Sequence, residues 1–483
     1  MPAGFESAQS DSSPAPGLGR GTAILLGAVA IGSFHLAYAI PALSFLVAVY
    51  LFCLFRLSHL GGKRQAFYGG LLIGLGVFVP QMGFLWTIFG WLAAILWLVL
   101  AFWHGVFLLL ARECQRHLGR IGAALAIPVL WTGLEYFRSE LYFLRFTWFT
   151  PGMAFSTLPG AVGYAEMGVY GVGFTLMLAM IVLSLLPRLS RTLLSLFLLF
   201  GFVQTVPEAQ FKIIRGGETQ ARVVQVAGMQ MEFPPAHEVP AALDRLLRAH
   251  PEAELLVLSE YTFDIPVPER VKAWCKTNKR YLIVGAQDSP AKQDFHNTAF
   301  VIGPDGEIVF QQGKSVPIQF MNDGLPAAAQ NVWDSPWGKL AIPTCYDLSY
   351  TRPMDRFIRA GAQAIINPTM DVAEWGAHQH ALHSRVPPVR AAEYRIPIFR
   401  VASSGHSQLV NARGRVTASA PFPGQGAMIA GTMEIRGPGT LPLDRWLAPA
   451  CSVGTGLLIV WFSLNAVRAR LGRADRKSSI ATP

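Results

Sequence analysis

The distribution of apolar positions divides the chain into three parts. Residues 21 to about 207 are almost continuously apolar. Residues 208–440 mix apolar and polar positions as an ordinary globular domain does, and residues 444–467 are apolar again. A membrane-crossing helix needs about 20 apolar residues, and lipid leaves unpaired backbone groups without partners. The long runs therefore predict membrane helices. The eight predicted spans are 22–38, 40–56, 67–89, 91–111, 121–137, 161–187, 191–207 and 444–467.

In the middle part, short β-rich runs alternate with amphipathic stretches, which predicts a layered α/β domain. The predicted strands include ARVVQVAGMQ, LLVLSEY, YLIVGAQ, NTAFVIG, LAIPTCYDL and AQAIINPTM. The predicted helices are AALDRLLRAH, ERVKAWCKTN and RPMDRFIRAGA. The predicted organisation is a disordered tail (1–20), a seven-span bundle (21–207), an extramembrane domain (215–440), a final helix (444–467) and a basic tail (468–483).

The charged residues mainly add a prediction of which side of the membrane each segment faces. Only 14% of residues are charged, against about 25% in soluble proteins. The net charge of +10 is not arranged as a stripe with interleaved aromatic residues, so we expect no nucleic-acid partner. Basic residues instead follow spans two, four, six and eight, and Arg20 precedes span one. Since cytoplasmic loops are enriched in Lys and Arg, both tails are predicted to be cytoplasmic and the domain to lie outside, in the periplasm if the source is a Gram-negative bacterium.

Three residues at predicted strand ends could carry chemistry: Glu260, Lys314 and Cys345. Buried strands ending in these types would place a base, a cation and a nucleophile at one rim. A free thiol needs a nearby base or cation to react at neutral pH. A carboxylate can take its proton, and an ammonium with the backbone N–H after the cysteine can hold an oxyanion. Taken singly, each residue is more commonly structural or solvated, so their joint context carries the prediction.

The remaining cysteines and the histidines suggest no bound group. The five cysteines match no zinc or disulfide spacing, and we expect Cys275 and Cys345 to be unpaired. His378, His380 and His383 lack a cysteine partner or an HExxH pattern, so we expect no metal and no cofactor. Of the three, His380 is predicted to pack near the site.

The order of these motifs resembles the carbon-nitrogen hydrolase (nitrilase) superfamily. Glu260, the run HNTAFVIGPDGEIVFQQGK ending at Lys314, and Cys345-Tyr346-Asp347 are similar to its Glu-Lys-Cys triad segments. Seven spans, this domain and one further span resemble the membrane-embedded branch, the apolipoprotein N-acyltransferases. The resemblance covers roughly residues 21–467. It implies an α-β-β-α sandwich domain carried by a helical membrane bundle of about eight spans.

The chain departs from the pattern of that family at several places. It has Leu258-Ser259-Glu260 where Trp-Pro-Glu is usual, and SVPIQFMND replaces the usual HLVPFGE after Lys314. The second glutamate of the family, thought to order the lysine, has no equivalent. Asp323 and Asp347 are both candidates to replace it, and the sequence does not choose between them. The Trp-Phe-Gly run is reduced to Glu374-Trp375-Gly376, and VPP at 386–388 looks inserted.

The resemblance implies an acyl transfer in two steps. A phospholipid ester would acylate Cys345, and the N-terminal amine of a diacylglyceryl-modified lipoprotein cysteine would then take the chain. Implied partners are the phospholipid donor, the lipoprotein acceptor and the bilayer, with the enzyme a monomer in the bacterial inner membrane. Residues expected beside the triad are Tyr346, Asp347 and Asp323, and those expected to contact lipid or substrate are Phe320, Met321, Trp333, Trp375 and His380. Two alternatives remain open: a membrane-anchored amidase, and an inactive lipid- or lipoprotein-binding homologue.

Overall fold

The computed structural model describes residues 18–187, 190, 221–289 and 294–480, apart from the side chains of 472–480. Its first part is helical, as the apolar runs predict. The helices are α1 Arg20–Ala39, α2 Leu46–Leu57, α3 Lys63–Gln81, α4 Phe84–Phe89, α5 Leu92–His117, α6 Gly119–Tyr136 and α7 Tyr164–Leu185. They pack on one another around a core that also reaches into the following domain.

The domain that follows contains twelve described strands and five helices, and a long helix comes after it. The strands are β1 Arg222–Met229, β2 Leu255–Leu258, β3 Tyr281–Gln287, β4 Asn297–Ile302, β5 Ile308–Gly313, β6 Val332–Ser335, β7 Gly338–Ala341, β8 Ala364–Thr369, β9 Ile398–Ala402, β10 Ser407–Val410, β11 Val416–Ala420 and β12 Met428–Ile435. The helices are α8 Val239–Ala249, α9 Glu269–Asn278, α10 Thr351–Arg359, α11 Ala377–His383, α12 Val386–Tyr394 and the final α13 Asp444–Ile480. Each strand and helix predicted in this part of the sequence is present.

The strands form two mixed six-stranded sheets of similar design. One has the order β12-β1-β2-β3-β4-β5 and the other β11-β10-β9-β8-β7-β6. In each sheet three central strands are parallel, β1-β2-β3 and β7-β8-β9, and the flanking strands are antiparallel. Parallel strands are buried on both faces, which explains the unbroken apolar run of β2. The residues of β2 and β8 are all buried, although β8 includes the polar Asn367 and Thr369.

Three packed interfaces produce four layers, helix-sheet-sheet-helix. Helices α8 and α9 cover the outer face of the first sheet. The inner faces of the two sheets share one core, in which Val226 and Val257 meet Leu340 and Val401. Helices α10 and α12 cover the second sheet and belong to the same buried core as the membrane-type helices, by which we mean α1–α7 of the first, apolar part of the chain. The α-β-β-α sandwich is therefore present.

The span count differs from the prediction. Within the described residues, four helices are long and apolar enough to cross a membrane: α1, α5, α7 and the Asp444–Leu471 part of α13. The predicted span 40–56 is a 3₁₀ turn at Pro41–Leu43 followed by α2, which has only 12 residues. The predicted span 121–137 forms the 18-residue α6, which includes Arg120 and Glu135 and is not one of these four helices. The predicted span 191–207 lies outside the described residues.

The predicted span 67–89 is broken by its own sequence. Helix α3 contains Pro80 and ends at Gln81, and the chain resumes as the six-residue α4. Proline cannot donate to the carbonyl four residues earlier. That carbonyl, of Gly76, lies 2.9 Å from His35 Nε2 instead. The break places α4 beside the domain, where it contributes to the cavity described below.

The end of the chain also differs from the prediction. The final helix does not stop at 467 but continues to Ile480 through the basic segment. Arg, Ala, Leu and Lys all favour helix, and no proline follows Pro449 in this helix. The predicted disordered tail, 1–20, lies almost entirely outside the described residues.

Buried ion pairs connect the final helix to the domain and to α7. Arg445 Nε lies 2.7 Å from Asp355 Oδ1, its Nη1 2.6 Å from Asp444 Oδ1, and its Nη2 3.3 Å from Glu393 Oε2. The backbone N–H of Val169 and of Tyr170 donates to Glu393 and Asp444 respectively. We call Arg445, Asp355, Asp444 and Glu393 the junction cluster.

Candidate active site

The structure brings the three predicted residues together. Glu260 lies two residues beyond the end of β2, Lys314 directly after β5 and Cys345 four residues after β7. Lys314 Nζ lies 2.8 Å from Glu260 Oε1, and the side chains of both residues are fully buried. The Cys345 thiol lies 3.5 Å from the Met370 carbonyl oxygen, and the Met370 N–H donates to Glu260 Oε2 at 2.6 Å. Base, cation and thiol thus share one buried pocket between the two sheets.

Local backbone geometry makes this approach possible at two positions. A Cβ added to Gly285 on β3 would lie 2.5 Å from the Glu260 Cα, so only glycine lets the end of β2 come this close. Cys345 has φ +50°, the left-handed region that non-glycine residues rarely adopt. Such strain persists where surrounding structure imposes it, commonly at functional sites. Here the Cys345–Ser349 3₁₀ turn begins with that residue.

Asp323 is the second carboxylate that contacts Lys314. Its Oδ2 lies 2.7 Å from Lys314 Nζ. The Asn297 side-chain amide donates to both Glu260 Oε1, at 2.6 Å, and Asp323 Oδ1, at 2.9 Å. Tyr261 also donates to Asp323, at 2.9 Å. We call Glu260, Lys314 and Asp323 the site cluster.

Asp347, the other candidate, has different partners. Its carboxylate accepts backbone N–H bonds from Ser315 and Val316, at 3.0 and 2.6 Å, and from Thr344, at 3.1 Å. It therefore ties the loop after Lys314 to the turn that carries Cys345. Of the two alternatives left open by the sequence, Asp323 is the one bonded to the ammonium.

Burial and charge set the protonation states in this pocket. Burial raises the pKa of Glu260, although Lys314 opposes the shift. Burial by itself would lower the pKa of Lys314, but Glu260 and Asp323 outweigh it and hold that pKa well above its usual value. Burial and the Glu260 carboxylate raise the pKa of Cys345 well above its usual value. The resting site is therefore a neutral thiol beside an ammonium held by two carboxyl groups.

A mainly apolar cavity of about 120 Å³ opens beside the Cys345 thiol. One wall comes from the helical part: the end of α3, α4, α5 and the segment 144–148. The other comes from the domain: the loop 318–321, the Cys345 turn, and α11 with the turn before it. Its lining residues are Met82, Phe84, Leu85, Ile88, Phe89, Leu96, Val99, Leu100, Leu144, Arg145, Phe146, Trp148, Ile318, Gln319, Phe320, Met321, Cys345, Tyr346, Trp375, Gln379 and His383.

Three of the five residues predicted to contact lipid or substrate line this cavity: Phe320, Met321 and Trp375. Phe320 is 60% exposed and its ring meets Phe89 of α4 at 6.1 Å between centroids. Tyr346, predicted beside the triad, lines the cavity as well.

Trp333 and His380 do not line the cavity. Trp333 lies on β6, at the edge of the second sheet, and packs against Tyr281 and Trp337 in the inter-sheet core. His380 is fully buried with its ring 4.3 Å from Phe422. The aromatic character of Trp333 fits a core position equally well, and the orientation of the seven-residue α11 could not be read from its sequence. The structure places neither side chain at this cavity, and contact of either with substrate stays a prediction.

His383, rather than His380, reaches the cavity from α11. Its ring stacks on Trp148, with centroids 4.9 Å apart and planes at 19°. Its Nδ1 lies 2.7 Å from Asp371 Oδ1. Sequence reasoning considered His383 only as a metal ligand and did not single out Asp371 or Asn297. For Asn297 a signal existed, since it lies in the run that ends at Lys314.

The layers and the buried Glu, Lys and Cys define a carbon-nitrogen hydrolase domain, and comparison with known families agrees. Residues 231–432 match the carbon-nitrogen hydrolase family, and residues 26–182 match the apolipoprotein N-acyltransferase N-terminal domain. Together with the relatives described below, these two matches support an apolipoprotein N-acyltransferase, as a divergent member.

Individual relatives differ in how much of the chain they match. An apolipoprotein N-acyltransferase of Geobacter metallireducens is 27% identical over 84% of this chain and 86% of its own length. An omega-amidase of Xenopus tropicalis is 28% identical over only 33% of this chain and 65% of its own. Among solved structures, Saccharomyces cerevisiae Nit3, a nitrilase-superfamily member, covers 44% of this chain and 90% of its own at 19% identity, with a TM-score of 0.38. A TM-score this low does not by itself establish a shared fold.

Proposed function

We propose that the protein transfers a fatty acyl chain from a membrane phospholipid, through a thioester on Cys345, to the N-terminal amine of a diacylglyceryl-modified lipoprotein cysteine. One observation carries the proposal: the buried thiol opens onto an apolar cavity whose walls come from both the domain and the membrane-type helices. A small polar amide would not need such walls, whereas an acyl chain arriving from a bilayer would.

In the first step the thiol attacks the ester carbonyl carbon of the phospholipid. Glu260 takes the thiol proton as the S–C bond forms, and its raised pKa makes it a stronger base than an ordinary carboxylate. The Lys314 ammonium and the Tyr346 backbone N–H stabilise the oxyanion. When the C–O bond breaks, the leaving lysophospholipid oxygen takes the proton from Glu260. The products are a Cys345 thioester and a lysophospholipid.

In the second step the acceptor amine attacks the thioester carbonyl. Glu260 takes a proton from the nitrogen as the C–N bond forms, and the departing sulfur recovers a proton from Glu260. The products are an amide and the resting thiol. Water would hydrolyse the same thioester, so a cavity with apolar walls favours transfer by excluding it. Asp323 holds the ammonium and Asp347 holds the loop that carries it, which makes both positioning residues.

We further propose a multi-pass protein of the bacterial inner membrane with its domain in the periplasm. The support is the alternation of basic residues along the helical part. Arg56 lies at the end of α2, Lys63 and Arg64 lie at the start of α3, and Arg116 and Arg120 lie around the α5–α6 turn. Reporter fusions after Gly306 and after Arg476 test this topology. The proposal requires the first fusion outside and the second in the cytoplasm, and both on one side would overturn it.

The proposed activity is tested by expressing the chain in cells depleted of lipoprotein N-acylation. Restored N-acylation of a lipoprotein, read by the mass of its N-terminal peptide, is the expected result, and Cys345→Ala is the matched negative control. Purified protein with phospholipid vesicles and a diacylated lipopeptide should release lysophospholipid in step with lipopeptide acylation. Hydrolysis of small amides without lysophospholipid release would favour the amidase alternative instead.

A further inference from the structure

A second buried polar group borders the cavity beside the site cluster. Asp371 follows β8, one residue after Met370, whose carbonyl accepts from the Cys345 thiol. The Asp371 backbone N–H donates to Ser403 Oγ at 2.9 Å, and Asp371 Oδ1 lies 2.7 Å from His383 Nδ1. Trp148 covers one face of the imidazole ring. The mechanism above uses none of these contacts.

The contact with Asp371 indicates the tautomer of the His383 ring, which lines the cavity. With Nδ1 committed to the Asp371 carboxylate, the proton of the neutral ring lies on Nδ1 and Nε2 presents a lone pair. Other charged or titratable groups near the ring are Arg400, whose Nη2 contacts Asp371 and lies 3.1 Å from His383 Nδ1, and His380, whose Nδ1 lies 3.8 Å from Asp371 Oδ2. Burial lowers the pKa of His383, although Asp371 opposes the shift, so the ring is neutral at neutral pH.

We infer that His383, held by Asp371, receives the amino group of the acyl acceptor and removes the proton that it carries as an ammonium. This role rests on the proposed function and concerns its second step alone. In the first step the nucleophile is the thiol and the leaving group is an alcohol oxygen, so no ammonium has to lose a proton before attack and His383 has no proton to accept there.

Proton accounting explains why a second base is required. A terminal amine has a pKa of about 7.7–8.0 and arrives mostly as an ammonium, which has no lone pair for attack. Glu260 exchanges one proton between the nucleophile and the leaving sulfur and ends the step as it began. The additional ammonium proton passes to His383 Nε2, the Asp371 carboxylate stabilises the imidazolium, and the proton leaves to water with the product. The apolar walls assist, since they penalise the ammonium more than the neutral amine.

The test measures the two steps separately. Protein is first mixed with phosphatidylethanolamine vesicles, and the acyl-enzyme is followed by intact mass. A synthetic S-diacylglyceryl-cysteinyl peptide is then added, and loss of the acyl-enzyme is followed. His383→Asn keeps a donor near the Nδ1 position, towards Asp371, and removes Nε2. We expect transfer to the peptide to fall about 100-fold, as for loss of a general base, and to fall at least tenfold more than acylation does.

His383→Gln is the second variant, because its amide oxygen reaches the position of Nε2. It accepts a hydrogen bond but not a proton, so transfer should be slow with a peptide KM closer to wild type than that of His383→Asn. His250→Gln is the matched control, since His250 forms a similar pair with Glu252 on the surface, 3.6 Å apart. It should change neither rate.

Two results would remove this role while leaving the proposed function intact. One is normal transfer by His383→Asn, and the other is an equal loss in both steps, which would indicate a purely structural residue. Absence of an acyl-enzyme in the wild type would instead remove the proposed function, and the role of His383 with it.

Discussion

The site cluster and the junction cluster are both buried networks of carboxylates and cationic side chains, but only the site cluster lies beside a nucleophile. Each holds buried cationic groups among more carboxylates than their charge can balance, since Arg390 also pairs with Glu393 at the junction cluster. Each also uses backbone N–H groups to satisfy the remaining oxygens. In the junction cluster all three guanidinium nitrogens of Arg445 are bonded to carboxylates. The site cluster uses a lysine and lies against a thiol and a cavity. Buried ion pairing alone therefore does not identify an active site, whereas its proximity to a nucleophile and to open space does.

The largest effect we expect is on stability at the junction cluster. Arg445→Met leaves Asp355 and Asp444 without their cation and leaves Glu393 paired with Arg390 alone, and breaking a buried pair costs about 3–5 kcal/mol. Thermal unfolding in detergent should occur at a clearly lower temperature, while the acylation rate per folded molecule should stay near wild type. A loss of acylation in protein that remains folded would break the distinction between the two clusters.

Lys314→Met should have the opposite profile, with a large loss of rate. Removing one oxyanion donor costs about 2.7–4 kcal/mol, or roughly 10²–10³ in rate. The acyl-enzyme should form that much more slowly from phospholipid, measured by intact mass over time. Lys339→Met, on β7 outside both clusters, is the control and should acylate normally. Normal acylation by Lys314→Met would exclude Lys314 from the reaction.

Asp323 and Asp347 give a finer test of the site cluster. Asp323→Asn removes a charge-assisted bond to the ammonium, which costs about 1.5–3 kcal/mol, or roughly 10- to 100-fold in acylation. Asp347→Asn keeps an oxygen that can accept from the loop N–H groups and should lose less. Both are measured as single-turnover acylation rates. A larger loss in Asp347→Asn would make Asp347 the residue that positions Lys314.

The smallest effect that we expect is a fall of the acylation rate at low pH, which is set by the protonation of Glu260. Its carboxylate form is the base, and burial raises its pKa, so acylation is complete above that pKa and is lost as pH falls through it. The rate should fall about tenfold for each pH unit below the pKa, starting at a higher pH than for an ordinary glutamate. Glu260→Gln should be slow at every pH and lack this fall. An unchanged fall in Glu260→Gln would assign it to another group.

The sequence predicted the strands and the proximity of Glu260, Lys314 and Cys345 because both depend on short-range pattern. The run LLVL is apolar throughout and AIINPT begins with three apolar residues, and Glu260, Lys314 and Cys345 each follow a strand whose end the pattern indicates. Membrane crossing was harder to predict. The run 67–89 is apolar enough on average, and only the structure shows that Pro80 and Gly83 divide it into α3 and α4.

Side-chain placement around the cavity depended on tertiary contacts that the sequence does not encode locally. His380 and His383 lie three residues apart on α11, yet one packs on Phe422 and the other stacks on Trp148, more than 200 residues earlier in the chain. The choice between Asp323 and Asp347 likewise depended on how the loop after Lys314 folds back. The Asp323 carboxylate accepts from the Ile318 N–H at 2.7 Å, which turns the loop toward the ammonium.

The central claim is a thioester on Cys345, and the most direct test supplies the donor without the acceptor. Purified protein incubated with phospholipid should gain the mass of one fatty acyl group on the peptide containing Cys345, because hydrolysis is slow in a water-excluding cavity. Neutral hydroxylamine should remove the adduct, and Cys345→Ala should not form it. An adduct that persists in Cys345→Ala, or that maps to another residue, would contradict the assignment of Cys345 as the nucleophile.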